Sequence, residues 1–95
     1  MNSDRLQLAV YPGGAMVATG LADLRSGIRS ESALVISMAA TRLRHLGLEL
    51  EAPIPDAELA LYDYLAKIHG DNAHSRFNAL RRQLVSFQRA WACVS

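Results

Sequence analysis

Apolar residues recur along this chain with helical spacing, and the clearest run lies near the C-terminus. Phe77, Leu80, Leu84, Phe87 and Trp91 follow one another at alternating intervals of three and four residues. Residues at these intervals share one face of an α-helix, so the pattern predicts a helix near residues 73–92 with an aromatic seam. A seam of this size has to be buried, either against the rest of the chain or against another molecule.

Glycine and proline divide the remaining sequence into segments with the same helical periodicity. Three further helices are predicted near residues 15–26, 30–46 and 55–69, with Gly27 placed to end the first and Ser30 to cap the second. Residues 3–11 fit either a short helix or an extended arm, because their apolar residues also alternate. The predicted fold is all-α, a small four-helix bundle with a short N-terminal arm or helix, in one domain spanning residues 1–95.

The second predicted helix is apolar around most of its circumference in its first half. A helix of this kind lies either at the centre of a fold or at a subunit contact. The apolar surface of the four helices also exceeds what a bundle of this size readily covers, and self-association would cover the excess. We therefore expect a homodimer or a contact with another protein, through Leu34, Val35, Met38, Phe87 and Trp91.

The composition is that of an ordinary folded protein, with 51% hydrophobic residues, 20% charged residues and a net charge of +1 over 95 residues. A chain of this length suits a single domain. No apolar stretch approaches the roughly 20 residues of a membrane span, so a soluble protein is expected. The lone Cys93 cannot form an internal disulfide, and the expected location is the cytoplasm.

Charge is unevenly distributed along the second half of the chain. Residues 49–71 contain six acids and a single base, Lys67, whereas residues 72–95 contain four arginines and no acid. The two predicted helices are joined by a short link at Gly70 and should be antiparallel neighbours. We therefore expect the arginines to pair with the acidic third helix, their stems covering apolar surface.

The alternative interpretation of these arginines is a nucleic-acid-binding regulator. Phosphate recognition needs Lys or Arg clustered on one face. Helical geometry predicts that Arg82 and Arg89 share the solvent side of the last helix, while its other two arginines lie on opposite flanks of the seam. Arg42 and Arg44 of the second helix could add to that patch.

Candidate chemistry is confined to the link between the last two helices. His69, Asp71 and His74 could ligate a metal, but zinc sites need three or four converging ligands and no fourth is near. Metal-dependent activity at this link is a remote alternative, and the histidines are more simply surface residues. No catalytic motif, cofactor motif or histidine partner for Cys93 occurs, so we expect a protein that is not an enzyme and holds no cofactor.

Overall fold

The structure, a computed structural model, describes residues 8–94 without the side chain of Val94, and this part of the chain is all-α, as predicted. Its helices are α1 (Gly14–Arg25), α2 (Glu31–Met38), α3 (Ala40–His45), α4 (Ala57–His69) and α5 (Ala73–Val94), and a 3-10 turn (Gly70–Asn72) links the last two. The prediction for residues 3–7 lies outside the described residues, whereas Leu8 and Ala9 are helical. No helix within the described range is long and apolar enough to cross a membrane.

Helix α1 ends at the glycine that the sequence predicted. Gly27 adopts a left-handed φ of 74°, and the N–H of Ile28 donates to the carbonyl of Asp23 at 2.7 Å. This bond closes the last turn in the manner typical of a glycine stop. Further back in α1, a Cβ added at Gly20 would lie 2.7 Å from the carbonyl oxygen of Ser32, so α1 and α2 approach closely at this point.

Helix α2 lies at the centre of the fold, packed against α1 and α4 and in contact with α5. Ser30 caps it, since its Oγ accepts a hydrogen bond from the N–H of Ala33 at 3.1 Å. All five residues from Ala33 to Ser37 are buried. The sequence left two positions open for this helix, the centre of the fold or a subunit contact, and the structure places it at the centre.

The helix predicted over residues 30–46 is two helices separated at Ala39, where φ is −110° and ψ is 22°. Two residues earlier, the Ser37 hydroxyl donates to the carbonyl of Ala33 at 2.7 Å, a bond of the kind that bends helices. The same oxygen accepts the N–H of Ile54 at 3.0 Å and so fixes the loop before α4. The apolar spacing of the sequence continues across this break, and Leu43 beyond it is fully buried. The spacing therefore gave no sign that the helix is interrupted.

Helix α5 buries most of its predicted seam against the chain itself. It packs on α4 and contacts α1 and α2. Phe77, Leu80, Leu84 and Phe87 are buried, and Trp91 is half-buried. In α4, by contrast, Ile68 continues the helical spacing of the buried Leu61 and Leu65 but is 56% exposed.

A candidate basic groove between helices α3 and α5

A groove of about 510 Å³ lies between α5 and the junction of α2 with α3. Buried or half-buried apolar side chains form its floor, among them Met38, Leu84 and Val85. Exposed basic side chains, Arg42, His45 and Arg81, stand at its rim, and the exposed carboxylate of Glu58 also lines it. The groove therefore combines an apolar floor with positive charge.

Gln88 adds a polar group to this groove that sequence reasoning missed. The residue is only 9% exposed, lines the groove, and takes part in none of the side-chain hydrogen bonds formed by the described residues. No buried side-chain nitrogen or oxygen in this part of the chain lacks a partner, so the Gln88 amide opens into the groove. A lone glutamine within a helix gives no sequence signal of such a role.

A second, shallower groove of about 390 Å³ runs along the outer face of α5. It is lined by Asn78, Arg81, Arg82, Val85, Ser86 and Arg89. Arg81 and Val85 line both grooves, so the two form one continuous surface. We call this surface the basic face and define its basic residues as Arg42, His45, Arg81, Arg82 and Arg89. The prediction that only two arginines of the last helix share a patch was wrong, because Arg81 lies with Arg82 and Arg89.

The arginines of the basic face have no carboxylate partner among the described residues. Two ion pairs occur in this part of the chain, Arg76 with Glu31 at 2.7 Å and Arg25 with Glu51 at 3.6 Å. The hydrogen bond to Glu31 raises the pKa of Arg76 above the ordinary arginine value. The expected pairing of the α5 arginines with the acidic α4 is thus not formed.

The packing of α5 explains why this pairing fails. Helix α4 covers the seam side of α5, where the rings of Tyr62 and Phe77 lie 4.5 Å apart. Arg81 and Arg82 are exposed and line the groove on the outer side of the helix. Glu58 of α4 lines the same groove as Arg81 but forms no ion pair with it, whereas no α4 residue lines the outer groove that contains Arg82 and Arg89.

The arginines predicted for nucleic-acid contact divide between two places. Arg42, Arg82 and Arg89 lie on the basic face. Arg44 does not, because its guanidinium donates to the carbonyl of Leu50 at 3.0 Å and lies beside the loop that follows α3. The basic face therefore contains Arg81, which was not among the predicted contact residues, and lacks Arg44, which was.

Three of the residues predicted for protein contact are inside the chain. Leu34 is 2% exposed, and Val35 and Phe87 are fully buried, because α1, α4 and α5 surround α2. They offer no surface to a second molecule in this structure. Met38 is half-buried and lines the groove, so it stays with the candidate site.

Trp91, the fifth predicted contact residue, already has partners within the chain. Its indole Nε1–H donates to the carbonyl of Leu46 at 2.7 Å, and its ring stacks on Phe87 with centroids 5.7 Å apart. The ring of Tyr11 packs edge-on against it at 5.2 Å. Trp91 therefore ties the C-terminal half of α5 to the end of α3.

The link between α4 and α5 does not assemble a metal site. No three metal-ligating side chains among the described residues converge on one point. The Nδ1 atom of His74 lies 2.6 Å from the Tyr62 hydroxyl and is hydrogen-bonded to it. His69 and Asp71 take no part in this contact.

Comparison of the chain with protein-family models, curated proteins and solved structures found no match.

Proposed function

We propose that the chain is a protein-interaction module and that its contact site is the basic face. One observation carries the proposal: an apolar floor adjoins arginines that have no carboxylate partner within residues 8–94. Burying an apolar side chain of a partner on this floor would contribute about 25 cal/mol per Å². The cations would attract acids beside that side chain and speed its encounter with the groove.

The partner best suited to this site is a protein segment with an apolar side chain flanked by acidic residues. Arg42 and Arg81 would form ion pairs with the acids at the rim of the groove. The Gln88 amide, which opens into the groove, would hydrogen-bond a backbone or side-chain polar group of the partner. The proposal includes a cytoplasmic location, where the exposed thiol of Cys93 stays reduced.

Nucleic-acid binding is the second candidate function, because Arg81, Arg82 and Arg89 lie along one strip of α5. A phosphate backbone would be attracted to such a strip. Two features favour protein instead. The sequence pI of about 8.0 is below the values above about 9 typical of nucleic-acid-binding domains. The apolar floor of the groove has no counterpart on a phosphate backbone.

Site-specific cross-linking in cells tests the proposal. A photoreactive phenylalanine analogue at Val85, which lines both grooves, should cross-link to protein. The same analogue at Thr19, an exposed position on α1, is the matched control and should not give the same product. Arg81→Glu should abolish the Val85 product. A Val85 probe that yields no protein product, or one insensitive to Arg81→Glu, would contradict the proposal.

Titration with duplex DNA and with RNA at two salt concentrations tests the second candidate. Binding that weakens steeply with salt and is lost on replacing Arg82 and Arg89 with glutamate would establish it. Binding that is absent or indifferent to salt would eliminate it.

A further inference from the structure

The surface of α4 carries a feature complementary to the groove. Leu59 is 71% exposed, and three exposed acids are near it in the sequence: Asp56, Glu58 and Asp63. Asp63 lies one turn after Leu59 on the same side of the helix, and Asp56 is the N-cap residue that precedes the first turn of α4. None of the three acids forms an ion pair among residues 8–94. We call these four residues the acidic knob.

We propose that the occupant of the basic groove is a second copy of this chain, whose acidic knob inserts Leu59 onto the apolar floor. The inference rests on the proposed function and names its partner. The knob presents an apolar side chain between acids, and the groove presents an apolar floor between Arg42 and Arg81. Both sets of charges lack partners within the described chain, and one contact between copies satisfies both.

The positions of knob and groove favour a closed dimer. Glu58 flanks Leu59 and also lines the groove of its own chain, so the two surfaces are neighbours. Because the two surfaces adjoin, a two-fold arrangement can place the knob of each copy in the groove of the other. Such an isologous contact is closed and reciprocal, whereas a head-to-tail contact would leave a free knob and a free groove and could continue into open chains.

Sedimentation equilibrium of the full chain tests the dimer. We expect a monomer–dimer equilibrium at micromolar concentration. Leu59→Ala removes an apolar contact from both halves of the interface and should weaken the dimer about a hundredfold. Ile68→Ala is the matched control, because Ile68 is 56% exposed on the same helix and outside the groove. It should leave the dimer constant unchanged.

A charge exchange tests which surfaces meet. Arg81→Glu and Asp63→Arg should each dissociate the homodimer, because like charges then face one another in both contacts. An equimolar mixture of the two variants should dimerise again, since in the mixed dimer each contact has opposite charges. Arg25→Glu, the same change of charge at an exposed position that lines neither groove, serves as the charge control. Circular dichroism of each variant verifies that it remains folded.

Several outcomes would overturn the inference. These are a strict monomer at high micromolar concentration, a dimer constant that Leu59→Ala leaves unchanged, a mixture of the two charge variants that does not dimerise, or association into species larger than a dimer. A monomer whose Val85 probe still cross-links to a different protein would overturn the inference and leave the proposed function in place. A Val85 probe that captures no protein would overturn both.

Discussion

Replacing Ser37 with alanine removes the hydroxyl that joins α2 to the loop before α4. In the native structure this oxygen accepts the N–H of Ile54 at 3.0 Å and donates to the carbonyl of Ala33 at 2.7 Å. Ser37 and Ile54 are each 8% exposed. The N–H of Ile54 has no other acceptor among the described residues, so the substitution leaves a buried donor unpaired.

The expected cost follows from that unpaired donor. A buried N–H without a partner destabilises a protein by about 1–3 kcal/mol. The lost bond to Ala33 adds little, because carbonyls inside α2 already accept helical N–H groups. For a domain of this size each kcal/mol lowers Tm by about 4–8 °C, so Ser37→Ala should lower Tm by roughly 5–20 °C.

Urea unfolding followed by circular dichroism measures the loss, and hydrogen exchange at the Ile54 amide localises it. Ser75→Ala is the matched control, because Ser75 is exposed on α5 and makes no side-chain hydrogen bond with the described residues. Both variants gain the helix propensity of alanine, and the difference between them reports the buried bond. Equal stabilities for the two variants, or unchanged exchange at Ile54, would refute the reasoning.

Three further changes test other contacts of the fold. Gly20→Ala should destabilise by about 1–3 kcal/mol despite its better helix propensity, because its Cβ would lie 2.7 Å from a carbonyl oxygen of α2; thermal unfolding measures this, and a raised Tm would contradict it. Trp91→Phe keeps an aromatic ring but removes the hydrogen bond to the carbonyl of Leu46, and should cost about 1 kcal/mol in urea unfolding; no loss would mean that the bond is energetically neutral. Glu31→Gln weakens the ion pair with Arg76 and should lower the free energy of unfolding by about 0.5–1 kcal/mol at low salt. In 1 M salt the loss should be smaller, because salt screens the charges. A loss that does not change with salt would show that it does not come from the ion pair.

The helical character of the chain was readable from its sequence because it depends on residues within one or two turns. The spacing from Phe77 to Leu84 identified the buried face of α5, and four of the five seam residues are buried. Gly27 ends α1 and Ser30 caps α2, as local capping chemistry predicted. The same local rules missed the break at Ala39, because the apolar period runs through it without interruption.

The candidate site was much less accessible to sequence reasoning. Charge balance predicted that the α5 arginines pair with α4, but no such pair forms among the described residues, and Arg82 and Arg89 line an outer groove to which α4 contributes no residue. Residue spacing also could not indicate that Arg42, from α3, would stand across a groove from Arg81. The complementarity of the acidic knob with that groove became visible only once both were placed in space.

The sequence by itself determined the all-α class, most helix ends and the inward face of the last helix, because periodicity and caps act between residues close together in the chain. Tertiary structure decided that α2 is covered by the chain itself, that Trp91 bonds Leu46, and that the arginines of the basic face have no carboxylate partner within residues 8–94. These outcomes depend on where segments remote in sequence meet. Local energies fix which face of a helix is apolar, but only the packing of all the helices fixes what covers that face.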